Sequence, residues 1–213
     1  MLGRLSVGSA LAVSVLSMII RDDINADNYL ATNSEYTAIF HYPDAQADGS
    51  GCVATLISST YAVTAAHCFA DGGFMNPTFT VTIDSVQHTV STVMKNPCFD
   101  FDNDGPNGMD LALLKLDTES AVTPYDVYTG GSEINSEFTF FGFGDFGLAG
   151  GSQPATGAGG NVFRKGMNEF EKIEDNTLVY YLNSGSDGGL DLEAIGWAGD
   201  SGGPAFIDVD GTW

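Results

Sequence analysis

Three stretches of this chain hold residue types that together suit nucleophilic chemistry. Gly199-Asp200-Ser201-Gly202-Gly203-Pro204 surrounds one serine with small residues. Such a run suits a tight turn that brings backbone N–H groups close to whatever the serine attacks, because glycine presents no Cβ to clash. A serine hydroxyl keeps its proton at neutral pH, so a base must remove it as attack begins. Thr64-Ala65-Ala66-His67-Cys68 offers an imidazole at the end of an apolar run, and histidine titrates near neutrality. Asp110-Leu111-Ala112-Leu113-Leu114-Lys115-Leu116 opens a second apolar run with a carboxylate, the group that fixes an imidazole tautomer and stabilises the imidazolium. Singly, each has a plainer role open to it: His67 as a packed core histidine, Asp110 as a strand-edge charge, Ser201 as one serine in a glycine turn. Jointly they make a nucleophile, its base and the group that orients the base.

The elements that must position them read as short β segments separated by Gly, Asn, Asp and Pro. Strands are expected over 36–42, 52–58, 61–64, 79–83, 88–94 and 111–116, forming a first barrel that ends near Asp117. Small residues at Ala65-Ala66 let the chain bend and expose His67. Pro124 ends any regular ladder in the connector 121–128, where the domain boundary is placed. A second set follows, with strands over 137–144, 164–173, 178–182 and 205–209. The glycine-rich stretch 147–160 contains no phosphate-binding lysine and reads as a surface loop.

The order His67, Asp110, Ser201, in these three motifs, resembles the trypsin/chymotrypsin-like serine protease family over roughly residue 20 to the end. Gly142-Phe143-Gly144 is similar to the Gly-Trp-Gly of that family. The resemblance implies an all-β fold of two antiparallel six-stranded β-barrels: residues 20–120 carrying His67 and Asp110, residues 121–213 carrying Ser201. It implies a polypeptide substrate, an acyl-enzyme intermediate, no cofactor, and an oxyanion hole made by the N–H groups of Gly199 and Ser201. It also implies a disulfide between Cys52 and Cys68 beside the histidine. The residue six before the serine, here Ile195, would lie at the base of the primary specificity pocket, where the absence of a carboxylate argues against selection of Arg or Lys. In the family a freed Ile-Val-Gly-Gly terminus pairs with the aspartate before the serine, here Asp200. Ile20-Arg21-Asp22-Asp23 stands at that place, so trimming after Ile19 would leave Ile20 as the pairing terminus; otherwise Asp200 finds another cation or the turn is ordered some other way. The sequence stops at Trp213, so the second barrel is expected to be unfinished as written. An inactive binding module of the same fold, or an inactive fragment of a longer protease, is therefore the alternative to an active endopeptidase.

Composition narrows the field further. Seven Lys+Arg against 28 Asp+Glu give a formal charge of −21, which repels nucleic acid and anionic lipid alike. Three cysteines and three histidines, with no CxxC or HExxH spacing, do not suggest a zinc site. Cys98 has either a partner outside the sequence or a place as a buried thiol. Residues 1–19 read as a secretory signal, with Arg4 near the start of an apolar run too short to span a bilayer. The mature protein is expected outside the cell, off the membrane, as a monomer. Asp100-Phe101-Asp102-Asn103-Asp104-Gly105 matches the first half of a calcium loop, but Leu111 occupies the place of its bidentate glutamate, so an acidic surface loop is the preferred reading.

Overall fold

Apolar residues at period two, set between turn residues, make this a chain of short strands in the computed structural model, which describes residues 18–42, 51–69, 78–100, 109–131, 133–149, 162–174 and 176–209. In chain order they are β1 (Met18–Ile20), β2 (Ile39–Tyr42), β3 (Cys52–Leu56), β4 (Tyr61–Thr64), β5 (Phe79–Ile83), β6 (Val86–Lys95) and β7 (Ala112–Leu116). After the connector come β8 (Glu137–Gly142), β9 (Phe146–Leu148), β10 (Arg164–Glu169), β11 (Lys172–Glu174), β12 (Thr177–Val179), β13 (Ala194–Ile195) and β14 (Ala205–Phe206).

The first sheet has the order β2-β3-β4-β7-β6-β5, antiparallel throughout. β2 packs back against β5, so the sheet nearly closes on itself. Alternate residues point inward: Phe40 and Tyr42, Cys52, Ala54 and Leu56, Val81 and Ile83, Ala112, Leu114 and Leu116 form one buried cluster. Val90 and Val93 both join it despite their odd spacing, because β6 changes register between Val90 and Thr92. β3 is buried along its whole length. Its outward Val53 packs with Ile39 against Phe141, Phe143, Phe163 and Phe206, which seals the barrel to the rest of the molecule and explains why Cys-Val-Ala-Thr-Leu has no polar face.

The later strands build three smaller sheets, ordered β10-β8-β14, β13-β1-β9 and β11-β12. Aromatic rings fill their core: Phe138 stacks on Phe170 at 4.0 Å and meets the edge of Tyr180 at 5.1 Å. The fold is that of the chymotrypsin-type β proteins expected from sequence. Several boundaries differ. The run 164–173 is two strands, β10 and β11, broken at Phe170, which turns inward onto Phe138. β1, β9 and β13 fall where no strand was expected, and β1 pairs with β13 antiparallel and with β9 in parallel. Ile20 and Tyr29, with Met18, fill the aromatic core of the later strands, since the barrel interior is already closed. Of the segment 1–19 expected as a secretory signal, residues 1–17 lie outside the described residues, as do the acidic loop beyond Asp100, most of the loop 147–160 and residues 211–213, while Met18 and Ile19 belong to β1.

Candidate active site

His67 and Asp110 come from the barrel. β4 runs into a single 3-10 turn, Ala66–Cys68, which carries His67. Cys68 is bonded to Cys52 on β3, so the turn is tied to the neighbouring strand. Inside, the Thr64 hydroxyl donates to the Val53 carbonyl at 2.7 Å, which leaves the Tyr42 O–H to donate to Thr64 Oγ1 at 2.9 Å. β4 and β7 pair with Thr64 opposite Ala112; continuing that register past the strand ends sets Asp110 against Ala66, beside His67. The carboxylate then grips His67 twice, accepting its backbone N–H at 2.8 Å and bonding ring Nδ1 at 2.5 Å. Burial works against the Asp110 anion, but the hydrogen bond and charge of His67, with the N–H groups of His67 and Ala66, hold its pKa below the usual carboxylate range. An ionised carboxylate only accepts, so Nδ1 carries the ring proton and Nε2 is left with its lone pair. That nitrogen lies 2.8 Å from Ser201 Oγ.

Ser201 is held from both sides. Its carbonyl accepts the N–H of Val53 at 2.8 Å, so β3 fixes the histidine turn through the disulfide and the serine turn through this bond. Gly202 follows with φ +79°, and a Cβ there would sit 2.2 Å from Thr64 Oγ1 and 2.3 Å from the Val53 carbonyl oxygen. Only glycine fits that seam. Gly199 has φ +86°, the Asp200 N–H donates to the Trp197 carbonyl at 3.0 Å, and the Gly203 N–H donates back to Asp200 at 2.8 Å. The N–H groups of Gly199 and Ser201 have no hydrogen-bond acceptor among the described residues.

Asp200 turns away from the serine into the interior, where it is 9% exposed. Oδ1 accepts the Gly144 N–H at 2.9 Å and Oδ2 the Trp197 N–H at 3.1 Å. Burial pushes its pKa up to about 6, against the pull of those two donors and of the Arg164 charge, while Asp145 adds to the rise. Gly142 and Gly144 exist for this carboxylate: a Cβ on Gly142 would fall 1.8 Å from Oδ1. Ile195 is 1% exposed in β13, paired with Ile19, while Ile20 pairs with Ala194. Cys98 is exposed, not a buried thiol, because its turn lies at the barrel surface. His41 and His88 are strand residues of β2 and β6. The two sulfurs beside His67 are joined to each other and are not metal ligands.

Sequence reasoning missed Arg164, whose guanidinium is buried over the Phe146 ring at 4.5 Å and attracts both Asp200 and Asp145. Seven basic residues in a chain with 28 acidic ones are few enough that one buried at the start of a strand, directly after Phe163, is a signal in itself.

Comparison with known proteins places this geometry in context. A family model described as Trypsin matches residues 24–210. The Corynebacterium glutamicum protein described as "Putative peptidase Cgl1093" is 27% identical over 159 residues, covering 75% of this chain and 50% of that protein. The chain thus spans half the length of the curated relative it matches. Among solved structures it is similar to neuropsin, described as a serine protease expressed in the limbic system of mouse brain, with a TM-score of 0.61 at 16% identity over 86% of this chain and 82% of that one. A structure described as GrC gives a TM-score of 0.60 at 17% identity over 84% and 82%. At such identities the shared property is the fold.

Proposed function

This chain belongs to the trypsin family, whose model spans residues 24–210, and from that premise we propose that it is a secreted serine endopeptidase acting on polypeptides. The observation that carries the reading is the unbroken relay from Asp110 through His67 to Ser201, with contacts of 2.5 and 2.8 Å. Ser201 Oγ attacks the scissile carbonyl carbon while its proton passes to His67 Nε2, and Asp110 stabilises the imidazolium. The oxyanion takes the N–H groups of Gly199 and Ser201, which are each worth about 3–4 kcal/mol of transition-state stabilisation in such a site. His67 then returns the proton to the leaving amine, and water, deprotonated by the same nitrogen, releases the acyl group from Ser201.

Export is part of the proposal. The Cys52–Cys68 bond suits an oxidising compartment, and the mature chain is expected in the medium. An apolar residue before the scissile bond is preferred over Arg or Lys, since Ile195 brings no charge to the pocket; matched Phe and Arg peptide substrates should differ in kcat/KM by about 10–100-fold in favour of Phe.

A fluorophosphonate probe tests the assignment. Ser201 is expected to label, casein to be hydrolysed, and both reactions to vanish in Ser201→Ala. A folded, disulfide-bonded chain that stays unlabelled, or a Ser201→Ala protein that still hydrolyses casein, would overturn it and leave a binding role for the fold.

A further inference from the structure

We propose that Arg164 is the cation that holds Asp200, and through it the Gly199–Ser201 turn, so that the site is assembled in a chain still continuous through Met18–Ile20. The inference rests on the reading of that turn as an oxyanion hole. It gives to a side chain the role that the sequence resemblance gives to a freed ammonium on Ile20.

Four observations meet at one place. Asp200 lies directly against Gly142 of β8, where a Cβ would overlap its Oδ1. The β10 residue registered opposite Gly142 is Arg164, so Asp200 and Arg164 adjoin the same backbone position. The guanidinium is held there: it lies over Phe146, Nη1 donates to the Val162 carbonyl at 3.3 Å, and the side chain is 7% exposed. Burial lowers the Arg164 pKa and raises that of Asp200, and the attraction between the two opposes both shifts.

The segment that would supply an ammonium is in use elsewhere. Met18 is 1% exposed and Ile20 fully buried. β1 is paired on one side with β13 and on the other with β9, and the Ile20 carbonyl accepts the Ala149 N–H at 2.8 Å. Ile20 is here an interior strand residue.

The consequence follows from hydrogen-bond chemistry. An ionised Asp200 accepts both N–H donors that tie it to the turn and to Gly144. A protonated one offers a hydroxyl to one of them and loses that bond. Burial favours the protonated form, and so does Asp145. Arg164 is the charge that opposes them. Tyr180 also faces this site, its hydroxyl accepting the Gly196 N–H at 3.4 Å. Arg164 is therefore a positioning residue, acting on the oxyanion donors through Asp200.

The test uses the whole chain with an uncleaved extension ahead of Met18, verified by intact mass, compared with Arg164→Met and Arg164→Lys. Fluorophosphonate labelling of Ser201 is followed from pH 5 to 9, and the Asp200 carboxyl carbon is titrated by NMR. The uncleaved wild type is expected to label. Arg164→Met is expected to label about 100-fold more slowly at neutral pH, with its acid limb and the Asp200 titration both displaced upward by a unit or more. Arg164→Lys is expected to recover most of the rate. Labelling that begins only once Ile20 is freed overturns the inference, as does an Asp200 titration unchanged in Arg164→Met. If no form labels yet the titration still moves with Arg164, the coupling of Arg164 to Asp200 stands and the protease reading fails.

Discussion

The two sides of the relay are held by different physics. His67 and Asp110 stand at the rim of a nearly closed barrel whose interior is alternating aliphatic and aromatic side chains, pinned by a disulfide. Ser201 stands on a turn between β13 and β14, each in a three-stranded sheet, ordered by a buried carboxylate with a buried guanidinium. A closed barrel gives its rim residues fixed places whatever their charge. The serine turn has few ladder bonds of its own, so its geometry depends on a titratable group. The geometry of the barrel side should therefore depend less on pH than that of the serine side, and the seam at Val53, Thr64 and Gly202 is where the two must agree.

The largest effects come from the relay itself. Ser201→Ala is expected to lower kcat by about 10⁶ while leaving the thermal midpoint in place. Asp110→Asn is expected to lower it by about 10⁴, because an amide can hold the wrong tautomer. A loss below tenfold for Asp110→Asn would mean that the barrel rim alone orients His67. Gly202→Ala attacks the seam. A methyl at φ +79° meets Thr64 Oγ1 and the Val53 carbonyl, and left-handed strain plus overpacking should destabilise by roughly 2–5 kcal/mol, with labelling of Ser201 lost in the folded fraction. Unchanged denaturant midpoints would show that the seam is looser than its distances imply.

Removing the disulfide probes the barrel side. Cys52 and Cys68 are 16 residues apart, a loop for which the cross-link contributes about 3 kcal/mol. The paired Cys→Ala variant should melt about 6–12 °C lower, with faster amide exchange along β3 and β4 and little change at β13. Equal loosening at β13 would merge the two sides into one cooperative unit.

How much of this was legible in the chain follows the same division. The barrel strands announce themselves because one face is apolar and the other polar, and β4, β5 and β7 fall where the alternation puts them. The three motifs carry His67, Asp110 and Ser201 in the residue types their chemistry demands. β1, β9 and β13 are three, three and two residues long, too short for any period to show, and they exist only because each completes the others' ladder. Arg164 was hidden for the same reason: its partners are fixed by the β8–β10 register and by the turn at Asp200, neither of which is local in sequence. Local propensity speaks for elements that could nearly stand alone. It is silent on those made by tertiary contact.

The smallest expected effect separates the two sides most directly. A carboxyl with a folded pKa of about 6 keeps its proton where the unfolded chain, titrating near the ordinary aspartate value, has lost it. Between about pH 4 and 6 the folded state binds more protons, so the Asp200 contribution is full below the unfolded value and is lost as pH rises through the folded one. Its size is about 3 kcal/mol. Glu193, also raised chiefly by burial, acts with the same sign, whereas Asp110 and His41, whose pKa values are lowered, act with the opposite one. The measurement is therefore a difference: urea midpoints of wild type and Asp200→Asn from pH 3.5 to 7.5. The variant is expected to gain on wild type by about 2–3 kcal/mol across that range while labelling of Ser201 falls. A flat difference would mean that the turn does not sense the charge on Asp200. A rising one means that ionising Asp200 costs stability at the pH where the serine turn needs it ionised, and that Arg164 sets how large that cost is.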